Sequence, residues 1–342
     1  MNAIFTFLVM IPFLLPIVLA NFAERERSVR ILLFVYLGLL CGVLLLLGVA
    51  GLFMGIFFSS PNAAETFQNA SPGVNAVSLR ALAGAPWLPA STILAVATIL
   101  AGLSMSPASR KIVARVLPIN PTSAMHATAL VLTVLAIGLN LWQTAILTPL
   151  LVDQVAQGQA MPQASYLDVL VFPLLVFTLA ALAGVGLYIR RNQSEALARL
   201  GLTLPTPLHL LIVIITTAAL VALATGTEML WQRWDPVGYQ QIGSLSEAML
   251  GDFKGLAGAL AIGGSAAIGE EIFFRGAYQP RFGLFLSAFL FAVFHSQYGF
   301  SPATILVFVI GLVLGVLRQR TSLTVTVLVH FMYNATLVLM SS

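Results

Sequence analysis

A few ionisable and amide side chains interrupt the apolar segments in the last quarter of this sequence. They are Glu270, Glu271, Arg275, His295, His330 and Asn334. Charged groups are costly in the hydrocarbon region of a membrane, and those kept there usually pair, face a cavity and serve a function. These residues are therefore the candidate site.

The spacing of the acidic and basic residues predicts two roles. Glu271 and Arg275 are four residues apart, so on a helix they share a face, with the glutamate first, as an ion pair prefers. We expect this pair to be a structural support. Glu270 is rotated by about 100° from its neighbour, so it can point into a separate cavity and act as a general base.

His330 and Asn334 share a helix face in the same way. An imidazole and a carboxamide side by side can donate two hydrogen bonds to one oxygen, as an oxyanion site requires. Taken singly, a membrane histidine is often a helix-packing partner, and an ion pair can be purely structural. The combination of these groups on nearby helices favours a catalytic site. His126 and His209 stand at predicted helix starts, and we interpret them as structural.

The elements that must position these side chains are membrane helices. Of the 342 residues, 59% are hydrophobic and 8% charged, and the mean hydropathy is +0.98; a soluble domain carries about 25% charged residues. Nearly uncharged runs of the length that a membrane helix needs recur along the chain and predict an all-α, polytopic transmembrane helix bundle of about ten spans (eight to ten). The predicted spans are Ala3 to Phe22, Ile31 to Phe58, Trp87 to Met105, His126 to Leu147, Val169 to Tyr188, Leu208 to Thr225, Gly255 to Phe274, Phe282 to Phe294, Pro302 to Leu317 and Ser322 to Met340.

Basic residues alternate between successive loops. Most lie in the loops that follow odd-numbered spans, namely Arg25, Arg27, Arg30, Arg110, Lys111, Arg115, Arg190, Arg191, Arg199, Arg281, Arg318 and Arg320. The loops between them hold Arg80, Arg233 and Lys254. Cytoplasmic loops collect Lys and Arg, so we expect an integral protein of a bacterial-type inner (plasma) membrane with both termini outside the cytoplasm.

This topology leaves one difficulty at the candidate site. Glu270 and His330 enter the membrane from the predicted cytoplasmic side, whereas His295 lies about a dozen residues along its span, or roughly 18 Å at the usual helical rise. We expect a tilt, a kink or a shifted helix start to bring His295 level with the others.

Other classes of protein find less support in the sequence. The basic residues are scattered and form no run with interleaved aromatics, so no nucleic-acid partner is expected. The single cysteine, Cys41, can form neither a disulfide nor a Cys-based metal site within one chain. No paired half-repeats are visible, which weakens the alternative of a proton-coupled transporter. The expected partners are the lipid bilayer and a peptide or protein substrate.

The ordered motifs resemble a known family. Glu270-Glu271-x-x-x-Arg275, Phe291-x-x-x-His295 and His330-x-x-x-Asn334, on successive C-terminal helices, are similar to the CPBP family of CAAX proteases and bacteriocin-processing enzymes, also called the Abi family. The resemblance covers roughly residues 200–339. It predicts a catalytic helix bundle in residues 200–342, after N-terminal transmembrane helices without a recognised motif in residues 1–199.

The resemblance implies an intramembrane endopeptidase that cleaves a membrane-associated or prenylated-type substrate. Glu270 and His295 would activate a water for attack on a peptide carbonyl. His330 and Asn334 would hold the developing oxyanion, and the remaining ion pair would fix the geometry.

Two alternatives stay open. Glu270, His295 and His330 could supply the two-His, one-Glu ligands of a catalytic zinc, although the His-Glu-x-x-His spacing of zincins is absent. A glutamate-activated water explains the same residues, so we expect no required cofactor, with one divalent metal such as zinc as the alternative. The chain could also be a non-catalytic membrane scaffold or bacteriocin-immunity-type protein of the same fold.

Overall fold

The described secondary structure is helical. The computed structural model describes residues 3–71, 79, 82–159, 165 and 170–341, and in this part of the chain there is no β-strand, only an isolated bridge between Leu187 and Arg191. Met1, Ser342 and Arg80, which entered the topology prediction, lie outside the described residues. The predicted all-α, polytopic bundle is confirmed.

The helices are numbered here in chain order. They are α1 (Ala3–Ala23), α2 (Arg27–Phe58), α3 (Ala63–Ala70), α4 (Trp87–Ser104), α5 (Pro107–Val113), α6 (Ala124–Ala156), the π-helix π1 (Leu170–Val176), α7 (Phe177–Val185), α8 (Gln193–Leu200), α9 (Pro207–Trp234), α10 (Pro236–Leu250), α11 (Gly255–Glu270), the π-helix π2 (Glu271–Tyr278), α12 (Gln279–Val293), a 3-10 turn (Ser296–Tyr298), α13 (Pro302–Arg320) and α14 (Leu323–Met340).

Seven helical stretches in the described residues are long and apolar enough to cross a membrane, and Met10–Ala23 and Pro173–Val185 are shorter apolar helices. One of the seven is the stretch Gly255–Val293, which contains two predicted spans. Each predicted span therefore has a helical counterpart.

The stretch Gly255–Val293 folds back on itself. Gly283 has φ 79° and ψ 172°, a conformation that a side chain would strain. Beyond this residue, Ser287 Oγ donates a hydrogen bond to the Phe274 carbonyl (3.0 Å), and the Phe291 ring meets the Phe274 ring edge-on at 5.3 Å. α12 therefore runs antiparallel to π2 and α11 as a separate span.

Polar side chains set the beginnings of several helices. The Ser123 hydroxyl accepts from His126 N at the start of α6, and the Thr206 hydroxyl accepts from His209 N at the start of α9. Each histidine in turn accepts a backbone N–H through Nδ1, from Asn120 or Thr206. Such caps satisfy amide groups that a helix start leaves unpaired. His126 and His209 thus have the structural role that the sequence indicated.

The core around the candidate site draws on both halves of the chain. One buried cluster joins Leu130 of α6 and Phe177 of α7 to Phe274 of π2 and Phe291 of α12. The predicted division into residues 1–199 and 200–342 stays a prediction. The first half nevertheless supplies walls that hold the site in place.

Candidate active site

The candidate site forms where a regular α-helix becomes a π-helix. α11 ends at Glu270 and π2 begins at Glu271; π-helical turns are rare and frequently mark functional sites. Glu271 Oε1 lies 3.1 Å from His330 Nδ1, and Glu270 Oε2 lies 4.0 Å from His330 Nε2. The sequence placed Glu270 in a cavity of its own. Instead, the two carboxylates face opposite nitrogens of one imidazole, because α14 packs its histidine between them.

Glu271 is the centre of the polar network. Its side chain is fully buried, as is that of Arg275, and Arg275 Nε lies 3.6 Å from Glu271 Oε2. The predicted ion pair is therefore present. The other carboxylate oxygen of Glu271 accepts a hydrogen bond from His330 Nδ1, so the same carboxylate orients the histidine. Glu271 thus holds a cation on one side and the ring on the other.

Arg275 is held by more than its ion pair. Its Nη1 donates to Ser287 Oγ (3.2 Å), and its guanidinium carbon lies 4.9 Å from the centre of the Phe291 ring. A guanidinium over an aromatic face gains a cation–π attraction that strengthens when water is excluded. Residues of α12 therefore clamp the arginine that in turn positions Glu271.

Glu270 is the less well paired of the two carboxylates beside His330. Glu270 is 8% exposed, and its Oε2 has no hydrogen-bond partner among the described residues. A buried, unpaired carboxylate is costly, so the nearby ring nitrogen of His330 is its natural stabiliser.

His295 presents one free ring nitrogen. Its Nδ1 lies 2.8 Å from the Phe291 carbonyl oxygen, and because a carbonyl only accepts, Nδ1 carries the proton. In the neutral ring Nε2 then has its lone pair available. The Tyr298 ring stacks on the imidazole, with centroids 6.0 Å apart and planes at 10°. The adjoining 3-10 turn is tied to α6, where Thr148 Oγ1 donates to the Ser296 carbonyl at 2.9 Å.

The fold-back resolves the depth of His295. π2 carries the seventh span to Tyr278, past its predicted end at Phe274, and the reversal is completed at Gly283. Glu270 lies thirteen residues before Gly283 and His295 twelve residues after it. Two antiparallel arms of similar length bring the two residues to a similar depth. The later end of the seventh span therefore places Glu270 deeper than predicted, level with His295, while the eighth span starts close to its predicted position.

Asn334 follows His330 by one turn of α14 and is half-buried. It makes no hydrogen bond within the described part of the chain. Its role as the second oxyanion donor stays a prediction from the motif.

Gly269, immediately before the glutamates, allows a backbone-to-backbone contact that sequence analysis missed. A Cβ at this position would lie 1.7 Å from the Pro173 carbonyl oxygen of π1. Gly264, on the same helix, has nothing within 4 Å of the corresponding position. The signal in the sequence was too weak to find this contact, since α11 contains several glycines. The contact fixes the height of Glu270 against π1.

Two further polar residues border the site and were also missed. Burial raises the pKa of the Tyr298 phenol, and the carboxylates of Glu270 and Glu228 raise it further. The phenol is therefore a neutral hydrogen-bond donor beside Glu270. Glu228 lies on α9, outside the motifs, and only the packing of α9 brings it near.

The donor set does not fit a metal site as the side chains stand. Among the described residues, no group of three or more His, Cys, Asp or Glu side chains is arranged to hold a metal ion. We therefore derive no step through a metal.

Comparison with known families bears on the C-terminal motifs. A family model described as "Rce1-like: Type II CAAX prenyl endopeptidase Rce1-like" matches residues 252–336. The C-terminal helices are thus similar to this family over the matched residues. This match confirms the family resemblance predicted from the motifs, and it spans every residue of the candidate site. No curated protein and no solved structure matches the chain.

The polytopic helical fold supports an integral, multi-pass membrane protein. The matched segment resembles the Rce1-like type II CAAX prenyl endopeptidases. It begins just before α11 and ends within α14, so it contains the fold-back and both arms that carry the site.

Proposed function

We propose that this protein is an intramembrane endopeptidase that hydrolyses a peptide bond with a water activated by glutamate and histidine. The observation that carries this proposal is the geometry of Glu270. Its unpartnered Oε2 faces His330 Nε2 at 4.0 Å inside the bundle. That distance is too long for a direct hydrogen bond and is one that a shared water or substrate oxygen can bridge.

Glu270 and His295 supply the base in this mechanism. Glu270 takes a proton from the water while the water oxygen bonds to the peptide carbonyl carbon. His295 Nε2 accepts a hydrogen bond from the same water and so orients it. The proton is then given to the nitrogen of the leaving amine as the C–N bond breaks. This gives a new carboxylic acid and a new amine, and transfer of the acid proton to the amine leaves a carboxylate and an ammonium group, so atoms and charge balance without another reactant.

His330 and Asn334 stabilise the charge that develops on the carbonyl oxygen. Glu271 accepts from His330 Nδ1 and thereby orients the ring, so that Nε2 lies on the side of Glu270 and faces the oxyanion in this proposal. Donors aligned before the reaction lower the barrier because they need no reorganisation. Glu271 and Arg275 act as positioning residues in this proposal, which the Glu271–His330 hydrogen bond and the Arg275–Glu271 ion pair support.

The substrate of this proposal is a membrane-associated protein or peptide of the prenylated type. Support for this class comes from the described family of the matched segment and from the depth of the site within the helices. We further propose a bacterial-type inner membrane with both termini outside the cytoplasm, on the alternation of basic loops.

The test is cleavage by the purified protein in liposomes. Substrates are first trapped in native membranes with Glu270→Ala and identified by mass spectrometry. In water labelled with oxygen-18, the wild type should place the label in the new carboxylate. Glu270→Ala and His295→Ala should each lose about 10²- to 10⁴-fold in rate. Asn334→Ala should keep residual turnover, with a loss of about 10²- to 10³-fold.

The matched control is Glu247→Gln, which removes an exposed carboxylate paired with Lys254; it should cleave like wild type. Full activity of Glu270→Ala would refute the proposed mechanism, whereas no cleavage by the wild type would favour a non-catalytic scaffold of the same fold. A parallel assay with a strong chelator, followed by addition of zinc, tests the alternative of a catalytic zinc. Loss of activity that zinc restores would refute the metal-free mechanism.

A further inference from the structure

Five arginines from separate segments gather at one end of the bundle, outside the candidate site. They are Arg190, Arg191, Arg199, Arg281 and Arg318, which we call the arginine patch. Arg190 and Arg191 lie between α7 and α8, and Arg199 lies near the end of α8. Arg281 lies near the start of α12, and Arg318 lies near the end of α13. This is the end that the basic loops predict to face the cytoplasm.

Contacts with the backbone hold part of the patch together. Arg318 Nη2 donates to the Leu200 carbonyl (3.0 Å), and Arg199 Nη1 reaches the Gly276 carbonyl (3.4 Å). Arg191 Nη1 donates to the Val185 carbonyl. These bonds use backbone oxygens, so they fix the positions of the guanidinium groups and leave their charges in place.

The protein offsets little of the positive charge of the patch: among the described residues, Glu24 acts on Arg190 without forming an ion pair. Within the described residues none of the five forms an ion pair with a carboxylate. Burial lowers the pKa of Arg199, and the charges of Arg281, Arg191 and Arg318 lower it further. In the same part of the chain, the Nε atoms of Arg190 and Arg318 are buried without a hydrogen-bond partner. Guanidinium N–H groups without a partner, held among positive charges that repel one another, indicate that an anionic ligand binds here.

Exposed apolar side chains flank the patch. Tyr188, which precedes Arg190 and has a positive φ of 56°, is 77% exposed. Leu204, which follows the Gly201 turn beside Arg318, is 92% exposed. Tyrosine beside basic residues is typical of a membrane–water interface. A ligand here would therefore have both a charged group and an acyl chain.

We propose that the arginine patch binds the phosphate headgroup of an anionic phospholipid. Arginine suits this ligand because its planar group donates paired hydrogen bonds to phosphate oxygens. The Tyr188 ring and the Leu204 side chain would lie against the upper acyl chain. Lipid association of this kind is independent of peptide cleavage, so it can be tested without a substrate.

The test compares two double variants of equal charge change. Arg190→Gln with Arg281→Gln removes two members of the patch whose side chains make no hydrogen bond to the described part of the protein. Lys111→Gln with Arg115→Gln removes two exposed basic residues on the same predicted side but outside the patch. Each protein is placed in nanodiscs of phosphatidylcholine with or without phosphatidylglycerol. Lipid association is measured by native mass spectrometry and by the shift of the melting temperature.

The patch variant should bind phosphatidylglycerol about 30-fold more weakly than wild type, since each basic residue near a membrane surface contributes about fivefold. The control variant should bind like wild type. Equal weakening of phosphatidylglycerol binding in both variants would show only diffuse attraction to the membrane surface and would refute the proposed binding site. Equal protection of the wild type by inorganic phosphate in phosphatidylcholine discs would show a soluble-anion site and overturn the lipid assignment.

Melting in pure phosphatidylcholine shows whether the patch variant folds. If it does not, Arg281→Gln alone serves, because this side chain is exposed. The single variant should weaken phosphatidylglycerol binding about fivefold, and unchanged binding would contradict the proposal.

Discussion

Replacing Glu271 with Gln should destabilise the fold far more than the same change at Glu270. Gln keeps the shape of the side chain and an oxygen that can accept from His330 Nδ1, so the change removes mainly the charge. Arg275, fully buried and 3.6 Å away, then has no carboxylate within reach. An uncompensated charge in the membrane interior is the cause of the instability.

The size of the effect follows from the burial of the pair. Breaking a buried ion pair by removing one partner costs about 3–5 kcal/mol. Glu270 makes only the 4.0 Å approach to His330, and its side chain keeps a small exposed fraction of 11%. Glu270→Gln should therefore cost about 1 kcal/mol or less, within the ordinary range for mild substitutions.

The assay is unfolding of the purified protein in mixed micelles by increasing the fraction of sodium dodecyl sulfate, followed by tryptophan fluorescence. The double variant Glu271→Gln with Arg275→Met is the matched control. It removes both charges and should recover most of the lost stability, because replacing a whole buried pair by apolar groups is often neutral. The coupling between the two positions then measures the ion pair itself.

Two results would refute this reasoning. The first is that Glu271→Gln and Glu270→Gln unfold at the same fraction of denaturing detergent. The second is that the double variant is as unstable as Glu271→Gln alone, since the unpaired arginine would then not be the cause.

Three further predictions concern the surroundings of the site. Gly269→Ala should lower the yield of folded protein and the cleavage rate, because the added methyl group would meet a backbone carbonyl. Gly264→Ala is the control and should behave like wild type in the same two measurements. Equal behaviour of the two variants would contradict the close contact at Gly269. Tyr298→Leu should lower kcat more than Tyr298→Phe, which keeps the ring stacked on His295; steady-state kinetics with equal losses in both would assign the effect to the hydroxyl. Reporters that fold only in the cytoplasm should be inactive at either terminus, and activity at one end would reject the predicted topology.

Local patterns were sufficient for much of the fold. Hydropathy is summed over neighbouring residues, so the number and order of the membrane helices followed from runs along the chain. The predicted ends of the membrane helices were less exact where a helix end depends on packing against other helices. The seventh span continues to Tyr278 as a π-helix, beyond its predicted end at Phe274.

The residues of the candidate site were also visible in the sequence. Charge and amide groups stand out against an apolar background, and a four-residue spacing predicts a shared helix face. The Glu271–Arg275 ion pair was derived in this way and is present. Which carboxylate orients His330 was not derivable, because residues 271 and 330 lie 59 positions apart and meet only through the packing of α14.

The sequence by itself determined that the chain is a polytopic helical membrane protein, and it singled out the side chains of the candidate site. Both depend on composition and on spacing within single helices, which are local properties. Only the tertiary structure decided that the chain reverses at Gly283, that both glutamates approach one histidine, and that Gly269 meets π1. Each of these is a contact between segments distant along the chain, so its geometry depends on the packing of whole helices, which no local pattern specifies.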